Sequence, residues 1–424
     1  MEFRQVSEDM LDFIKKSPSP YHVVDNIRKQ LLEAGFQELF ENRKWELAFE
    51  GRYFVVRNDS SVIAFTTGQK NRHGFNIVAA HCDSPTFKIK NNPENVSGDK
   101  YITLNTEKYG GMIMAPWLDR PLSIAGRVVA EENGELVTKL VNIDRDLLVI
   151  PNLAIHMNRE INKGYEYNPR KDMLPLWGEA ANRGSFDKII AGAAGVEENA
   201  VLGADLFLYN RTPGTLLGAD YEYVGSPKLD DLQCVYAAVN ALVQVKTADG
   251  INLCCIFDNE EVGSRTGQGA DSDFLTVTTE RIYDALGYDR EEYLMALADS
   301  FMISADNAHG VHPNHPEMAD GSNRPYLNGG IVIKCNADQR YTTDAYSQAR
   351  MISICKKADV PYQLYANRSD IPGGSTLGNI AISHISVKTV DIGLAQLAMH
   401  SPYETGGVKD TLYLINALKE FWAL

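Results

Sequence analysis

The sequence contains no uninterrupted apolar run close to the roughly 18 residues that a membrane-spanning helix needs. Its first residues, MEFRQVSEDMLDFIKK, alternate charged and apolar side chains and lack the apolar centre of a secretory signal peptide. Basic residues are outnumbered, since 41 lysines and arginines stand against 56 aspartates and glutamates, giving a formal net charge of −15. Such an acidic surface repels nucleic acid and anionic membranes. We therefore expect a cytoplasmic protein that has neither of them as a partner.

Cysteine is scarce and irregularly spaced. The sequence has no CxxC pair and no regular spacing typical of a disulfide framework. The six cysteines are Cys82, Cys234, Cys254, Cys255, Cys335 and Cys355. In a cytoplasmic protein we expect reduced, mostly buried thiols, and a zinc site built from cysteine is disfavoured.

The chain is long enough for more than one hydrophobic core. At 424 residues, two domains are the expectation. The first clear element is a helix that Ser19 can cap, with Pro20 in its first turn and Gly35 at its end. Two β-rich runs, Arg52–Arg57 and 62–67, follow on either side of a turn-prone segment.

Several apolar, strand-like runs end abruptly in residues that can bind metal or carry protons. The run 75–80 leads into His81-Cys82-Asp83, 251–257 into Asp258-Asn259-Glu260-Glu261, 301–305 into Asp306, and 387–392 on towards His400. Strands that are largely apolar are typical of a sheet covered on both faces, and helical patterns lie between these runs. Open α/β sheets bind ligands at the carboxyl ends of their strands. The pattern predicts an α/β fold with a functional site at that edge of the sheet.

The stretch 92–223 has a different character. It carries β-type runs at 101–105, 123–129 and 136–141, with many glycines and prolines. It also separates His81 from the next polar cluster, Lys228-Leu229-Asp230-Asp231. We interpret it as a β-rich domain inserted into the α/β domain, which would then be discontinuous and comprise 1–91 and 224–424.

Two of the polar clusters suit a pair of metal ions. Two zinc ions a few ångströms apart prefer carboxylates and imidazoles, with one carboxylate bridging. His81 and Asp83 fit half of this, because a carboxylate can hold the second ring nitrogen of a ligating imidazole. The adjacent Glu260 and Glu261 point in different directions, so one can bind metal while the other moves a proton. Taken alone, the HxD pattern is a weak signal that usually does not mark a metal site, and the acidic run is equally compatible with a solvated acidic loop.

The other histidines are assigned to packing. His309, His312 and His315 follow Asp306 closely, but their three-residue spacing in a proline-containing segment does not form a helical face, so polar packing is favoured over metal binding. The same interpretation applies to His22, His73 and His384.

Seven blocks occur in one order along the chain: HCDSP, LDD, DNEEVGS, SADNAH, IKCNADQRY, GGSTLG and DIGLAQLAMHS. With SPSPYHVV near the N-terminus and the segments WLDRPLSIAGRV and LAIHM, they resemble the M18 (aspartyl aminopeptidase) family of metallopeptidases over nearly the whole chain. The resemblance implies the fold of the two-metal exopeptidases, in which helices cover both faces of a central mixed sheet. It also implies that the inserted β-rich domain serves dimerisation.

The resemblance implies an aminopeptidase with two divalent metal ions per subunit, most simply Zn²⁺, with Co²⁺ or Mn²⁺ as alternatives. His81 and Asp306 would bind one ion, Glu261 and His400 the other, and Asp230 would bridge the two.

The family pattern also gives roles to two residues beside these ligands. Glu260 would be the general base, taking a proton from the attacking water and passing it to the leaving amine. Asp83 would support His81.

Substrate contacts follow from the same resemblance. Lys334 and Arg340 match the region that borders the substrate in the aspartyl enzymes, and Tyr341 follows in the same block as a further substrate contact. Lys334 is the candidate to receive a substrate carboxylate. Gly374 and Ser375 could present backbone N–H groups at a helix N-terminus. The family contains enzymes that prefer acidic N-terminal residues and others that prefer apolar ones, so peptides of both kinds stay open as substrates. A lysine that pairs with a nearby acid is the alternative for Lys334.

Three departures from the family pattern remove no ligand. Asp231 stands where the eukaryotic aspartyl enzymes usually have Asn, and Cys82 stands where a hydroxyl residue is common. The long N-terminal extension of the vacuolar members is absent, which favours a cytosolic enzyme.

The resemblance further implies a homo-oligomer, a tetrahedral dodecamer built from dimers. In the aspartyl enzymes the inserted domain sends a histidine into the neighbouring subunit's active site, and His156 is the matching residue here. A histidine packed within its own β-rich domain is the alternative.

Two other functions remain open at this stage. A metal-dependent deacylase of N-acyl amino acids would use the same ligands but would require a free substrate carboxylate rather than a free α-amine. A catalytically silent assembly protein is disfavoured, because all five expected ligands and Glu260 are present.

Overall fold

The computed structural model describes residues 2–69, 74–245 and 250–423, which fold into two sheets and nine α-helices. The helices of this described part are α1 (Glu2–Lys16), α2 (Pro20–Glu33), α3 (Ser185–Ala194), α4 (Leu229–Gln244), α5 (Phe274–Leu286), α6 (Arg290–Asp299), α7 (Ala345–Lys357), α8 (Leu377–Ala381) and α9 (Asp410–Ala423). No described helix has the length and apolar character that crossing a membrane requires.

The larger sheet has 13 strands and is mixed in direction. Its strands are β1 (Gln37–Leu39), β2 (Arg52–Arg57), β3 (Ser61–Thr66), β4 (Phe75–His81), β11 (Thr215–Leu217), β12 (Tyr223–Ser226), β13 (Ile251–Phe257), β14 (Phe301–Ala305), β15 (Ala308–His309), β16 (Ile331–Cys335), β17 (Tyr362–Ala366), β18 (Lys388–Leu397) and β19 (Glu404–Gly407). The central strands β13, β4, β14 and β18 are parallel, whereas β3 and β16 pair antiparallel to this group.

Helices cover both faces of the larger sheet. Along β4, Val78 and Ala80 face a core formed with α1, α2, α4, α7 and α9. Ile77 and Ala79 face a second core formed with α5, α6 and α8. Successive residues of a strand point to opposite faces, so an uninterrupted apolar run is what a doubly covered strand needs. The predicted α/β fold class is confirmed.

The smaller sheet is antiparallel and has six strands. Its strands are β5 (Thr86–Ser97), β6 (Tyr101–Tyr109), β7 (Leu122–Glu132), β8 (Glu135–Asn142), β9 (Leu176–Glu179) and β10 (Val201–Asn210). It has a separate core that includes Phe87, Leu104, Ile124 and Leu206. The sheet is therefore a separate β domain, while its limits at 92 and 223 and its role in dimerisation stay predictions.

The structure differs from expectation at the N-terminus. Helix α1 precedes the first predicted element and was missed, although Met10 and Ile14 lie on one face and are buried. Ser19 is the residue before α2, but its hydroxyl forms no capping hydrogen bond, because it lies 2.8 Å from His22 Nδ1 instead. The expected cap by the Ser19 side chain was therefore wrong.

The remaining cysteine and histidine predictions concern packing. All six cysteines are free thiols, and only Cys335 is not fully buried. His384 is partly exposed and its Nε2 lies 2.7 Å from Asp271 Oδ1. His73 lies outside the described residues.

Candidate metal centre

Five potential ligands gather at the carboxyl-terminal edge of the central strands. His81 is the last residue of β4, Asp306 directly follows β14, and Glu261 lies in a short 3₁₀ helix after β13. Asp230 stands in the first turn of α4, and His400 lies between β18 and β19. Parallel strands end at the same edge of a sheet, and this geometry brings together residues that are far apart in the sequence.

The side chains form overlapping groups whose ligand atoms lie within 4.8 Å of one another. The groups are His81, Asp230 and Asp306; Asp230, Glu261 and His400; and His81, Glu260 and Glu261. Asp230 belongs to the first two: its Oδ1 lies 3.4 Å from His81 Nε2 and its Oδ2 lies 3.6 Å from His400 Nε2. A carboxylate with one oxygen towards each histidine has the geometry of a bridging ligand.

The donor set fits divalent cations. Asp230 Oδ1 and Glu261 Oε1 are buried and have no hydrogen-bond partner within the described chain. Buried carboxylate oxygens normally have partners, and a cation supplies one. Imidazole nitrogens and carboxylate oxygens without thiolate are a ligand set that zinc accepts.

The pKa shifts of these side chains also favour bound cations. Burial, together with the charge of Asp230, raises the pKa of Glu261 well above its usual range. Burial also raises the pKa of Asp306, and it raises that of Glu260 to about 8. For His81, burial lowers the pKa, but the neighbouring carboxylates of Asp230 and Asp83 outweigh it and hold the pKa well above its usual value. The carboxylates thus repel one another, and bound cations would relieve that repulsion.

Asp83 links the end of β4 to the segment that follows β13. Its side chain is 1% exposed, and its Oδ1 lies 3.4 Å from His81 Nδ1. The same carboxylate accepts the backbone N–H of Glu260 at 3.0 Å and that of Glu261 at 3.1 Å. His81 Nδ1 also lies 3.2 Å from the backbone carbonyl oxygen of Asp83. Asp83 therefore fixes the imidazole ring through both groups, and its carboxylate fixes the backbone that carries the two glutamates.

Glu404 holds the backbone of Asp230 and His400, as Asp83 holds that of Glu260 and Glu261. The sequence did not predict this role. Its two oxygens accept the backbone N–H of Asp230 at 3.0 Å and that of His400 at 2.8 Å. His400 has a φ of 65°, a left-handed conformation that a residue with a side chain rarely adopts. The only signal in the sequence is that this acid lies four residues after a candidate ligand.

The departures from the family pattern are accommodated in the core. Asp231 is fully buried, and its Oδ2 accepts the backbone N–H of His81 at 3.2 Å. Cys82 is buried, and its Sγ donates to the Ser60 carbonyl at 3.1 Å. Neither side chain displaces a potential ligand.

A cleft of about 190 Å³ opens beside these ligands. The substrate-contact candidates Lys334, Tyr341, Gly374 and Ser375 all line it. Lys334 is 2% exposed; its Nζ donates to the Asn307 carbonyl at 3.1 Å and lies 3.8 Å from Asp306 Oδ2. Helix α8 after Ser375 has only five residues, too short to concentrate much positive charge at its N-terminus.

His309 also lines the cleft and was assigned to packing by the sequence analysis. The residue is exposed, and its ring lies 6.3 Å from that of Tyr365. It thus packs against a tyrosine and at the same time borders the cleft. His312 and His315 are exposed, and their rings contact each other in a tilted arrangement with the centroids 5.2 Å apart.

His156 is not part of its own subunit's cleft among the described residues. It lies exposed in the loop after β8, and its ring forms no hydrogen bond or ion pair within the described chain. The neighbouring Leu153, Ile155 and Met157 are exposed by 57%, 48% and 76%.

The sequence matches a known family over almost its entire length. The family model described as Aminopeptidase I zinc metalloprotease (M18) matches residues 13–422. The chain belongs to the M18 family. A similar protein of Clostridium acetobutylicum, named "Probable M18 family aminopeptidase 2", is 49% identical over 428 residues that cover 99% of each chain. The resemblance stated from the sequence blocks is confirmed.

Solved structures agree with the M18 assignment. A chain in the cryo-EM structure of the Ape4 and Nbr1 complex is 35% identical, with a TM-score of 0.96 over 100% of this chain and 86% of that one. The S. cerevisiae mApe1 dodecamer is 26% identical, with a TM-score of 0.86 over 100% and 98%. As an M18 protein, the chain is a zinc metallo-aminopeptidase that releases N-terminal residues.

Proposed function

We propose that this M18 protein is a cytoplasmic two-metal aminopeptidase that prefers peptides with an acidic N-terminal residue. The observation that carries the two-metal proposal is Asp230, which belongs to two ligand groups and directs one oxygen towards each. A single-metal enzyme would have no need of a second group with Glu261 and His400.

In this proposal each ion has two ligands of its own, and the two ions share a third. His81 and Asp306 would hold the first ion, Glu261 and His400 would hold the second, and Asp230 would be shared between them. The ions would be Zn²⁺, with Co²⁺ or Mn²⁺ as alternatives. When bound, they supply Lewis-acid activation of water and stabilisation of the negative charge that develops on the scissile carbonyl.

Glu260 is proposed as the general base. Its backbone is held by Asp83, whereas its carboxylate lines the cleft. A carboxylate in this position can take a proton from the attacking water and release it to the leaving amine. Asp83 supports this chemistry through the ring of His81 and the N–H groups of Glu260 and Glu261.

The acidic preference is proposed from Lys334. Among the described residues that line the cleft, it is the only lysine or arginine. Its ammonium already lies near Asp306, and a cation bound by that carboxylate would weaken this pairing and leave Lys334 available to a substrate carboxylate. Tyr341, whose ring centroid is 5.3 Å from Lys334 Nζ, together with Gly374 and Ser375, would complete the substrate wall.

We also propose that the active form is a homo-oligomer, a tetrahedral dodecamer built from dimers. One structural relative is described as a dodecamer. Support within this chain comes from the exposed apolar residues around His156. The β domain would pair subunits and present His156 to the neighbouring cleft as a hydrogen-bond donor to the developing oxyanion.

The test uses matched substrates and metal analysis. Aminoacyl amides of Asp, Glu, Leu and Ala are compared with N-acetyl derivatives of the same amino acids, and the purified protein is assayed for metal. We expect two metal equivalents per chain, cleavage of the amides with Asp and Glu fastest, and no cleavage of the acetylated compounds. Activity on the N-acetyl amino acids alone would indicate the deacylase, and activity on neither with no bound metal would indicate a silent assembly protein.

A further inference from the structure

The segment 109–113 connects the β domain to the candidate metal centre. Tyr109 is the last residue of β6, where it pairs with Thr86 of β5. Its ring packs edge-to-face against Phe207 of β10, with the centroids 5.6 Å apart. The start of the segment is therefore anchored within the smaller sheet.

The Tyr109 hydroxyl links the segments that follow β4 and β13 in the larger sheet. It donates to Asp83 Oδ2 at 2.7 Å and accepts from Asn259 Nδ2 at 2.9 Å. Asp83 Oδ2 also accepts the backbone N–H of Glu261. Asn259 itself has a φ of 63° and is tied to Thr266 and Gln268 through its Oδ1. The hydroxyl thus braces the backbone that carries Glu261 from both sides.

Gly110 makes a close approach to Glu261. Its φ is 76°, and a Cβ at this position would lie 3.1 Å from Glu261 Cβ and 3.3 Å from the Glu261 carbonyl oxygen. Only glycine combines this backbone conformation with so close a contact. The backbone of the segment therefore forms the wall against which Glu261 rests.

The same segment contacts His400. The backbone N–H of Ile113 donates to the His400 carbonyl at 3.1 Å, and a Cβ on Gly111 would lie 3.9 Å from His400 Nδ1. Both residues assigned to the second ion are thus held by five consecutive residues that continue from the β domain.

We infer that segment 109–113 positions Glu261 and His400, so that the affinity of the second metal site depends on the β domain. This inference rests on the proposed two-metal function. Tyr109 and Gly110 are positioning residues, because each acts through a ligand or its backbone. Changes of this kind around metal ligands typically cost about 10- to 100-fold in metal affinity.

The test compares Tyr109→Phe and Gly110→Ala with matched controls. Tyr101→Phe removes a hydroxyl from the other end of β6, where the ring is 58% exposed and the hydroxyl forms no hydrogen bond within the described chain. Gly134→Ala places a Cβ at a similar φ of 82° with nothing within 4 Å. Chelator competition with Zn²⁺ gives the two dissociation constants of each full-length protein, and Co²⁺ loading gives the absorption spectrum of each site. His400→Ala identifies which constant belongs to the second site.

We expect Tyr109→Phe and Gly110→Ala to raise the second dissociation constant about 10- to 100-fold and to alter the second-site Co²⁺ spectrum, while both controls match the wild type. Wild-type constants and spectra in both variants would overturn the inference. Loss of native circular dichroism in the metal-free variants would also overturn it, because the residues would then serve the whole fold. If the wild type itself binds fewer than two ions, it is the two-metal function that fails.

Discussion

Asp83 Oδ1 accepts the backbone N–H of Glu260 at 3.0 Å. This bond holds the main chain of Glu260 and leaves its side chain free to border the cleft. A side chain on a backbone held in this way can lose its basic oxygen without disturbing its neighbours. A single substitution can therefore test the role of Glu260.

Glu260→Gln keeps the size of the side chain and removes its basicity. We expect turnover to fall on the order of 10²-fold or more, with both metal ions retained, because a lost general base costs about this much. Steady-state rates on an aminoacyl amide and elemental analysis provide the measurement. The matched control is Glu291→Gln on the exposed surface of α6, which should behave as the wild type.

Two other outcomes for Glu260→Gln are informative. A wild-type rate would remove Glu260 from the mechanism. Loss of a metal ion would instead make it a ligand, as the group with His81 and Glu261 would allow.

Asp230 and His400 should differ in their effect on metal content. Asp230→Ala removes the carboxylate shared by two ligand groups, so we expect both ions to be lost or weakly held. His400→Ala removes a ligand of one group only, so one equivalent should remain. Elemental analysis after dialysis measures both variants. Two tightly held ions in Asp230→Ala would rule out the bridge.

The place of the candidate site could be predicted because several polar clusters follow apolar strands. The runs that end before His81, Asp258 and Asp306 indicate a doubly covered sheet, and the edge of such a sheet is where side chains converge. The choice of ligands within these clusters came from the family resemblance. The contribution of Glu404 and Tyr109 was not predictable in this way. Each acts through a hydrogen bond to a residue distant in sequence, and no local periodicity records such a partner.

Helix α1 was missed although its sequence carries a local signal, because Phe3, Val6, Met10 and Ile14 recur at helical spacing. Its sequence is rich in charged residues, and only Met10 and Ile14 among its large apolar side chains are fully buried. The stabilisation of such a helix comes from tertiary packing rather than from local propensity. Its partner is the core beside α9, at the opposite end of the chain.

Lys334→Met should change substrate selectivity. If its ammonium receives an acidic side chain, we expect kcat/KM to fall roughly 10- to 100-fold on Asp and Glu amides, since a hydrogen bond to a charged group contributes about 1.5–3 kcal/mol. Rates on Leu and Ala amides should change far less. Because Lys334 lies near Asp306, the metal content must be measured in the same preparation.

The matched control for Lys334→Met is Lys388→Met, which removes an exposed lysine at the start of β18. Equal losses on all four amides would show that Lys334 supports the site rather than selecting the substrate. A wild-type preference for Leu or Ala would contradict the acidic specificity directly.

His156 provides the test of a shared active site. Its ring has no hydrogen-bond partner within the described chain, and it stands among exposed apolar side chains, which is the surrounding expected of a residue that a second subunit covers. His156→Phe should therefore lose most activity while keeping both metal ions, because the donor to the developing oxyanion is absent and no ligand is changed.

Co-expression of His156→Phe with Glu260→Gln then separates a shared site from a self-contained one. In a mixed assembly, about a quarter of the sites combine an intact Glu260 with a neighbour's intact His156 if the subunits pair at random. We expect that fraction of wild-type activity to return in hetero-oligomers purified through two different tags. Hetero-oligomers without recovered activity, or fully active wild-type enzyme that sediments as a monomer, would show that each subunit completes its own site.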